Sequence, residues 1–407
     1  MAGIFAGLKV IDAASFLAGP CAATILADYG ADVIKVEPLT GDRHRSIAAK
    51  HPSDWSWQLT DRNKRGLALD ITTDEGYGVL CDLLKQADVF VVNFSAGQLK
   101  KHRLEWDTLK AINPRLVFAQ ISAYGLHGPD ADRRAFDLTG WFARTGILDM
   151  MHEKDVPPTL PAGGVGDHAT SMTLFGGIVT ALYQRDRTGE GSMVSTSLAA
   201  TGAWANGLNL QAVIAGVDGA ARRDVEGWSN PIQNVYRTRD GRDMLIAVQN
   251  IKRDFPKLVE VLEKPEWLSD ESMQPIKPLF RNRFEARKRI AAAFLELDAE
   301  TLCERLDAAG IVYSLIARNA EVIDDPQLLA NGVIVPFESG KPGCDRTFAT
   351  PFQLSSEAQQ TPRPAPEIGE HTEDILREYG LSDAAIAELI DAGIVRRQHL
   401  SSDDAST

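Results

Sequence analysis

The stretch GLKVIDAASFLAGPCAATILADYGADVIKVE, Gly7 to Glu37, decides the fold. Leu8 to Asp12 and Asp32 to Glu37 are short apolar runs of strand type. Between them Ala18-Gly19-Pro20 opens a helix reaching about Ala27, with Pro20 near the first turn, where its missing N–H costs nothing. Strand, helix and strand within about thirty residues make a βαβ unit, and the second strand ends on an acidic residue. A dinucleotide fold has the same layout, but the G-x-G-x-x-G turn is missing, which removes a nicotinamide dehydrogenase from consideration. The unit is therefore Rossmann-like without a pyrophosphate loop. A nucleotide-type ligand at the Ser15–Gly19 turn and plain α/β scaffolding both fit it.

Working outward, Leu67–Ile71, Val89–Val92 and Leu116–Ile121 read as further strands, alternating with helices near Asp74–Gln86 and Glu105–Ile112. That alternation predicts a mostly parallel sheet covered on both faces. Basic residues gather at the connections: Arg43, His44 and Arg45; Arg62, Lys64 and Arg65; Lys100, Lys101 and Arg103. Open α/β sheets bind ligands at strand carboxyl ends, and Lys100 and Lys101 follow a strand-exit loop, Asn93 to Gly97. A solvated surface reads equally well from each cluster alone.

After a polar bridge at Gly216–Trp228 the pattern changes. Asn234–Thr238 and Met244–Val248 flank Arg239-Asp240-Gly241-Arg242, a hairpin signal. Helical patterns follow near Arg253–Leu262, Phe284–Leu297 and Glu300–Ala309. Three alternating prolines hold Thr361–Pro366 extended. Asp383–Ala392 reads as a last amphipathic helix, and the tail from Ser401 as disordered. The expected organisation is thus α/β: residues 1–215 begin a large Rossmann-like domain, 216–320 form a smaller α+β domain with its linker, and 321–407 return to the large domain.

The net charge of -13 excludes a general nucleic-acid binder or a basic membrane-surface protein. Anionic ligands must then be met by local clusters. The four cysteines are far apart with no C-x-x-C spacing, so no zinc site or disulfide framework is expected. No signal peptide or membrane-spanning run is read from the sequence, and the expected location is cytoplasmic.

One stretch carries chemistry. Pro161-Ala162-Gly163-Gly164-Val165-Gly166-Asp167-His168 places a lone carboxylate in a glycine-lined turn before an amphipathic run from about Ala169 to Arg185. Gly176, Gly177 and Ala181 give that helix a thin face for close approach. Asp167 would lie at or just before a helix N-terminus, open to a ligand. It also reads simply as an N-cap, and His168 as a second helix-start residue.

The chain resembles the class III CoA-transferases, the family of formyl-CoA, carnitine and bile-acid CoA-transferases. The resemblance rests on Gly7 to Asp12 with Ala18-Gly19-Pro20, on Gly30 to Glu37, and on Asn63-Lys64-Arg65 and Val92-Asn93-Phe94. It continues through Gly166-Asp167, Arg187-Thr188-Gly189-Glu190-Gly191 and Gly369-Glu370-His371-Thr372. These stretches span nearly the whole chain. Phe136-Asp137-Leu138-Thr139 and His152-Glu153-Lys154 look like the branch acting on 2-hydroxy acids such as aryl-lactates. The resemblance implies an interlocked homodimer, Asp167 as catalytic nucleophile, and acyl-CoA and a carboxylic acid as substrates, with no permanently bound cofactor. It also implies CoA contacts from Ser15, Leu17, Ala18, Leu69, Asn93, Phe94, Lys101 and Arg134. Three features depart from formyl-CoA transferase. Pro38 stands in place of an adenine-stacking arginine, Ser15 in place of a histidine, and no run of glycines matches its flexible active-site loop.

A carboxylate suits this chemistry because it can attack a thioester carbonyl and carry the acyl group, then CoA, without a metal. Helix-start N–H groups can stabilise the tetrahedral oxyanions. The neighbouring reading is an α-methylacyl-CoA racemase, which needs a proton-moving group on each face of the α-carbon. In racemases a histidine occupies the position that Phe136 holds here, and a phenyl ring cannot move a proton. A non-catalytic acyl-CoA-binding protein of the same fold is the third reading, which the glycine setting of Asp167 disfavours.

Overall fold

The computed structural model describes residues 3–152, 155–217 and 230–398. Most of the Gly216–Trp228 bridge, Glu153 and Lys154 of the 2-hydroxy-acid motif and the tail from Ser401 lie outside them. The chain groups into a large unit, Met1–Asp149, Leu160–Val217 and Pro326–Thr407, and a small one, Met150–Thr159 with Asp218–Asp325. The division made on sequence kept Met150–Thr159 with the large domain.

Seven strands build the large unit's main sheet: β1 (Lys9–Asp12), β2 (Asp32–Glu37), β3 (Arg65–Leu69), β4 (Val89–Val92), β5 (Val117–Ser122), β6 (Met193–Ser197) and β12 (Val395–Arg396). Their order is β12-β3-β2-β1-β4-β5-β6. All neighbours from β3 to β6 run parallel, and β12 adds an antiparallel edge to β3. The 3-2-1-4-5-6 core of this order is that of doubly wound dinucleotide folds.

Strand residues alternate between two buried faces. Val10, Val33, Val89, Val91, Val117 and Ala119 meet helix α1 (Ala18–Asp28) and the long helix Val165–Thr188, through Ala22, Leu26, Leu174, Ile178 and Leu182. Ile11, Ile34, Leu67, Phe90 and Phe118 meet the helix Asp74–Gln86 and the C-terminal helices, through Leu80, Leu83, Leu84, Ile375 and Leu376. Each such large side chain contributes about 1.5–3 kcal/mol by leaving water.

The third strand begins and ends two residues earlier than its apolar run suggests. Arg65 pairs with Asp32 on β2 and holds the start, while the Asp70 carboxylate accepts from the Thr72 backbone N–H at 2.9 Å and turns the chain. A short helix, Trp55–Asp61, went unread in the sequence. It helps tie down the returning C-terminal chain. The Trp57 indole N–H donates to the Pro366 carbonyl, and the Ala365 N–H donates to Gln58. Asn63 sits at φ 66° and exchanges hydrogen bonds with Arg363. A small antiparallel pair, β10 (Ile334–Pro336) and β11 (Arg346–Phe348), also belongs to this return.

The small unit holds the antiparallel sheet β7 (Gln233–Arg237), β8 (Asp243–Ala247) and β9 (Tyr313–Leu315). The Asp240-Gly241 turn joins its first two strands as the sequence predicts, with Gly241 at φ 78°. Helices Ile251–Val261, Arg283–Phe294 and Ala299–Ala309 pack on it through Phe255, Leu258, Ile290, Phe294, Leu302 and Leu306. Among the described residues no helix is long and apolar enough to cross a membrane.

Candidate active site

β1 and β4 are the neighbouring strands at which the order reverses, so a crevice opens beyond their carboxyl ends. The loops leaving them are locked together. The Ser15 N–H donates to Asn93 Oδ1 at 3.0 Å, and Asn93 Nδ2 donates to the Ser15 carbonyl at 2.8 Å. The Ser15 hydroxyl donates to Asp42 at 2.8 Å.

Beneath this loop lies a fully buried ionic network. Lys64 donates to Asp12 at 2.8 Å, to Asp61 at 2.9 Å and to the carbonyls of Pro20 and Thr60. Lys35 pairs with Asp42 at 3.1 Å and donates to the Ala14 carbonyl. Burial alone would raise the Asp42 pKa, but Lys35, the His44 N–H and the Ser15 hydroxyl together hold it below the usual carboxylate value. Charges so placed persist because each is paired and hydrogen-bonded.

The long helix begins earlier than expected, at Val165, so Asp167 is its third residue and does not precede it. Gly164 takes the N-cap position at φ 98°, which its missing side chain permits. No cap comes from Asp167. Instead the Gly164 N–H donates to Asp137 Oδ2 at 2.6 Å, and Asp137 Oδ1 accepts from the Leu138 N–H at 2.7 Å. Gly166 lies flat against Trp141: a Cβ there would come within 2.6 Å of the Trp141 side chain. This is the close approach that the sequence assigned to the helix's later glycines. Gly177 does meet Val194, whereas Gly176 faces open space.

Asp167 is half-buried and, among the described residues, has no side-chain hydrogen bond. Burial, reinforced by the Asp137 charge, pushes its pKa up to about 7. The N–H groups of Val165, Gly166 and Asp167 have no partner within the helix, as first-turn groups never do. A carboxylate without a hydrogen bond, poised near neutrality beside free N–H donors, is equipped to attack a carbonyl and to stabilise the oxyanion that results. His168, the next residue, is exposed.

The residues expected at a CoA site fall on five segments. Ser15 and Leu17 lie in the β1–α1 loop and Ala18 opens α1, with Leu17 Cδ2 only 3.9 Å from where a Cβ on Gly164 would stand. Asn93 and Phe94 follow β4, the first bonded to Ser15 and the second beside His102, ring centroids 5.9 Å apart. Leu69 is buried at the end of β3, opposite Val395. Lys101 ends the short helix Ala96–Lys101, and Arg134 lies two residues before Phe136; both are exposed and, among the described residues, free of ion pairs.

Several other basic residues of the clusters are engaged within the chain. Arg45 grips Glu37 with two nitrogens, Arg62 grips Asp28 in the same way, and Arg103 pairs with Asp74 over the Tyr77 ring. Their sequence pattern as phosphate ligands dissolves into ion pairs, leaving Arg43, Lys100 and Lys101 exposed and, among the described residues, without one. Three residues of the site went unread in the sequence: Asp42 and Asp137 as braces of backbone turns, and Phe16. Only Asp42 left a trace, an aspartate just after Gly41 at the exit of β2.

The sequence profile of CoA-transferase family III matches residues 5–372. The chain belongs to that family. It is 31% identical over 398 residues to the (R)-2-hydroxy-4-methylpentanoate CoA-transferase of Clostridioides difficile, covering 96% of this chain and 99% of that protein. It is 28% identical to the cinnamoyl-CoA:phenyllactate CoA-transferase of Clostridium sporogenes, covering 95% and 96% respectively. A CaiB/BaiF family protein from Brucella suis superimposes with a TM-score of 0.83 at 28% identity, over 93% of this chain and all of that one. This family III member is therefore a CoA-transferase enzyme, with CoA thioesters and carboxylates as its kinds of substrate.

Proposed function

We propose that this CoA-transferase moves CoA from an acyl-CoA donor to a carboxylic acid bearing an aryl or branched side chain, with Asp167 as the covalent carrier. The ionised Asp167 carboxylate attacks the donor thioester carbonyl. The C–S bond breaks, leaving an acyl-aspartyl anhydride and CoA thiolate. The thiolate then attacks the aspartyl carbonyl, releasing the donor acid and leaving an aspartyl-CoA thioester. The acceptor carboxylate attacks that thioester to form a second anhydride, and the thiolate attacks the acceptor's carbonyl. Acceptor-CoA departs and the Asp167 carboxylate is restored. No net proton or electron is consumed.

The observation that carries this reading is Asp167 itself, third in its helix, braced through Asp137 yet unbonded, with its pKa pushed up to about 7. CoA would lie along the β1 and β4 exits, against Ser15, Leu17, Ala18, Leu69, Asn93 and Phe94, with Lys101 and Arg134 free for its phosphates. The preference for an aryl or branched acid is supported by Phe136, which is 64% exposed next to the brace, and by the names of the two relatives above. An interlocked homodimer is part of the same reading.

The racemase alternative fails for want of a second proton-moving group at Phe136. The test incubates wild type and Asp167→Ala with a chiral 2-methylacyl-CoA and an added carboxylic acid in deuterated water. Thioester exchange by wild type and its loss in Asp167→Ala is the expected result. Rapid deuterium incorporation with racemisation, or exchange that survives in the variant, overturns the mechanism.

A further inference from the structure

Phe16 carries backbone strain. It stands at φ 65°, a left-handed conformation that an aromatic residue adopts only when its surroundings force it. The forcing groups can be named. On one side, both backbone groups of Ser15 are clamped to Asn93, and the Ser15 hydroxyl to Asp42. On the other side helix α1 begins, with the Cys21 N–H donating to the Leu17 carbonyl at 2.8 Å. Between these two fixed points Phe16 has no freedom left.

The strain brings no gain in core packing, because Phe16 belongs to none of the hydrophobic cores. Its ring meets the buried His44 ring edge-on, centroids 6.4 Å apart, and is presented to Phe136, edge to face, with centroids 5.6 Å apart. Phe136 is held as firmly: its carbonyl accepts from the N–H groups of Thr139 and Gly140, and its own N–H donates to the Thr139 hydroxyl. Yet its ring stays largely in solvent and is also absent from the cores. The next residue, Asp137, braces Gly164, from which the Asp167 helix rises. Two rigidly mounted phenyl rings thus meet next to Asp137, the residue that braces the start of the Asp167 helix, and the Phe136 ring is wet.

We propose that Phe16, held in its strained conformation by Ser15, Asn93 and Asp42, is a specificity-determining residue whose ring joins that of Phe136 to form the apolar wall receiving the side chain of the transferred acid. The inference rests on the CoA-transfer reading above and adds to it the residue that selects. A branched or aryl side chain covers the rings and removes them from water, a gain that grows with its size. A small, doubly charged acid gains nothing there and loses hydration.

The test compares wild type, Phe16→Ala, Phe16→Gly and Phe16→Leu, measuring kcat/KM for CoA transfer from one acyl-CoA donor to 4-methylpentanoate, 3-phenylpropanoate and acetate. The ratio of kcat/KM for the two bulky acids over acetate is expected to fall roughly tenfold or more in the Ala and Gly variants and to recover largely in Leu. Thermal unfolding supplies the second readout: Phe16→Gly is expected to melt above Phe16→Ala, since both lose the ring but only glycine relieves the strain. If the three acids lose activity in parallel, or the ratio is unchanged, the inference falls while CoA transfer stands. Glycine melting below alanine overturns the strained conformation on which it depends. If wild type transfers CoA to no acid at all, the functional reading falls and this inference with it.

Discussion

The surroundings of Asp167 bear on its ionisation, hence on stability and, in the proposed mechanism, on activity. Its folded pKa of about 7 lies above the ordinary 3.8, first because of burial and then because of Asp137. Between those two values the folded chain holds a proton that the unfolded chain releases. The stability tied to this group is therefore complete below about pH 4 and is lost as the pH rises through about 7. Asparagine avoids that loss. Asp167→Asn is expected to be more stable than wild type at pH 8 by ~1–2 kcal/mol, the full shift of about 4 kcal/mol being discounted for partial solvent screening. The difference should vanish near pH 4, as urea unfolding at both pH values would show; equal stability at pH 8 would mean that the carboxylate is not perturbed. On the proposed mechanism activity has the opposite slope, because Asp167 must be ionised to attack. For wild type, kcat/KM is expected to rise with pH through about 7. The glycine neighbours of Asp167 marked it in the sequence as a candidate, its role as nucleophile came only from the family resemblance, and its place inside the helix was not legible. The helix starts earlier, capped at Gly164, whose N–H is held by Asp137, thirty residues from Asp167 in the chain.

At the scale of elements, legibility followed periodicity. β2, β4 and the helix Asp74–Gln86 have the bounds that their hydrophobic patterns predict, because burial on both faces or on one stripe is written directly into apolar spacing. The helix Trp55–Asp61 left no such pattern, since four of its seven residues are polar and its ties to distant chain run through Trp57 and Gln58. The basic clusters misled for a related reason: an arginine's partner is not visible until the fold places Asp28 or Glu37 beside it. The start of the long helix is set by packing in the same way. Gly166→Ala would force a methyl group into the Trp141 side chain, which sits in its own small core with Phe142 and Leu198. Overpacking of this kind costs about 1–3 kcal/mol. The variant is expected to fold with reduced stability and with kcat lowered more than KM is raised, because the first turn and Asp167 must shift together. Wild-type kcat with unchanged melting would show that the helix start tolerates the methyl group.

The whole molecule leaves apolar surface without cover within one chain. On the helices Leu198–Ala205 and Gly207–Ile214, Trp204 is 87% exposed, Leu208 86% and Ile214 77%, on successive turns that contribute little to any core. Contiguous exposed apolar surface of that kind marks a site of protein contact. A second copy is the partner we propose, in keeping with the interlocked homodimer that resemblance implies. The chain's own path fits such an assembly: it leaves the large unit after Val217, builds the small unit and returns at Pro326 to add β12 beside β3. Two such chains, each threaded past the other, could separate only by unfolding. Sedimentation or light scattering is therefore expected to give a dimer mass down to nanomolar concentration, with dissociation and unfolding in urea occurring in one step. Folded monomers on dilution would refute the interlock, and a folded monomer retaining full transferase activity would refute any need for the second chain.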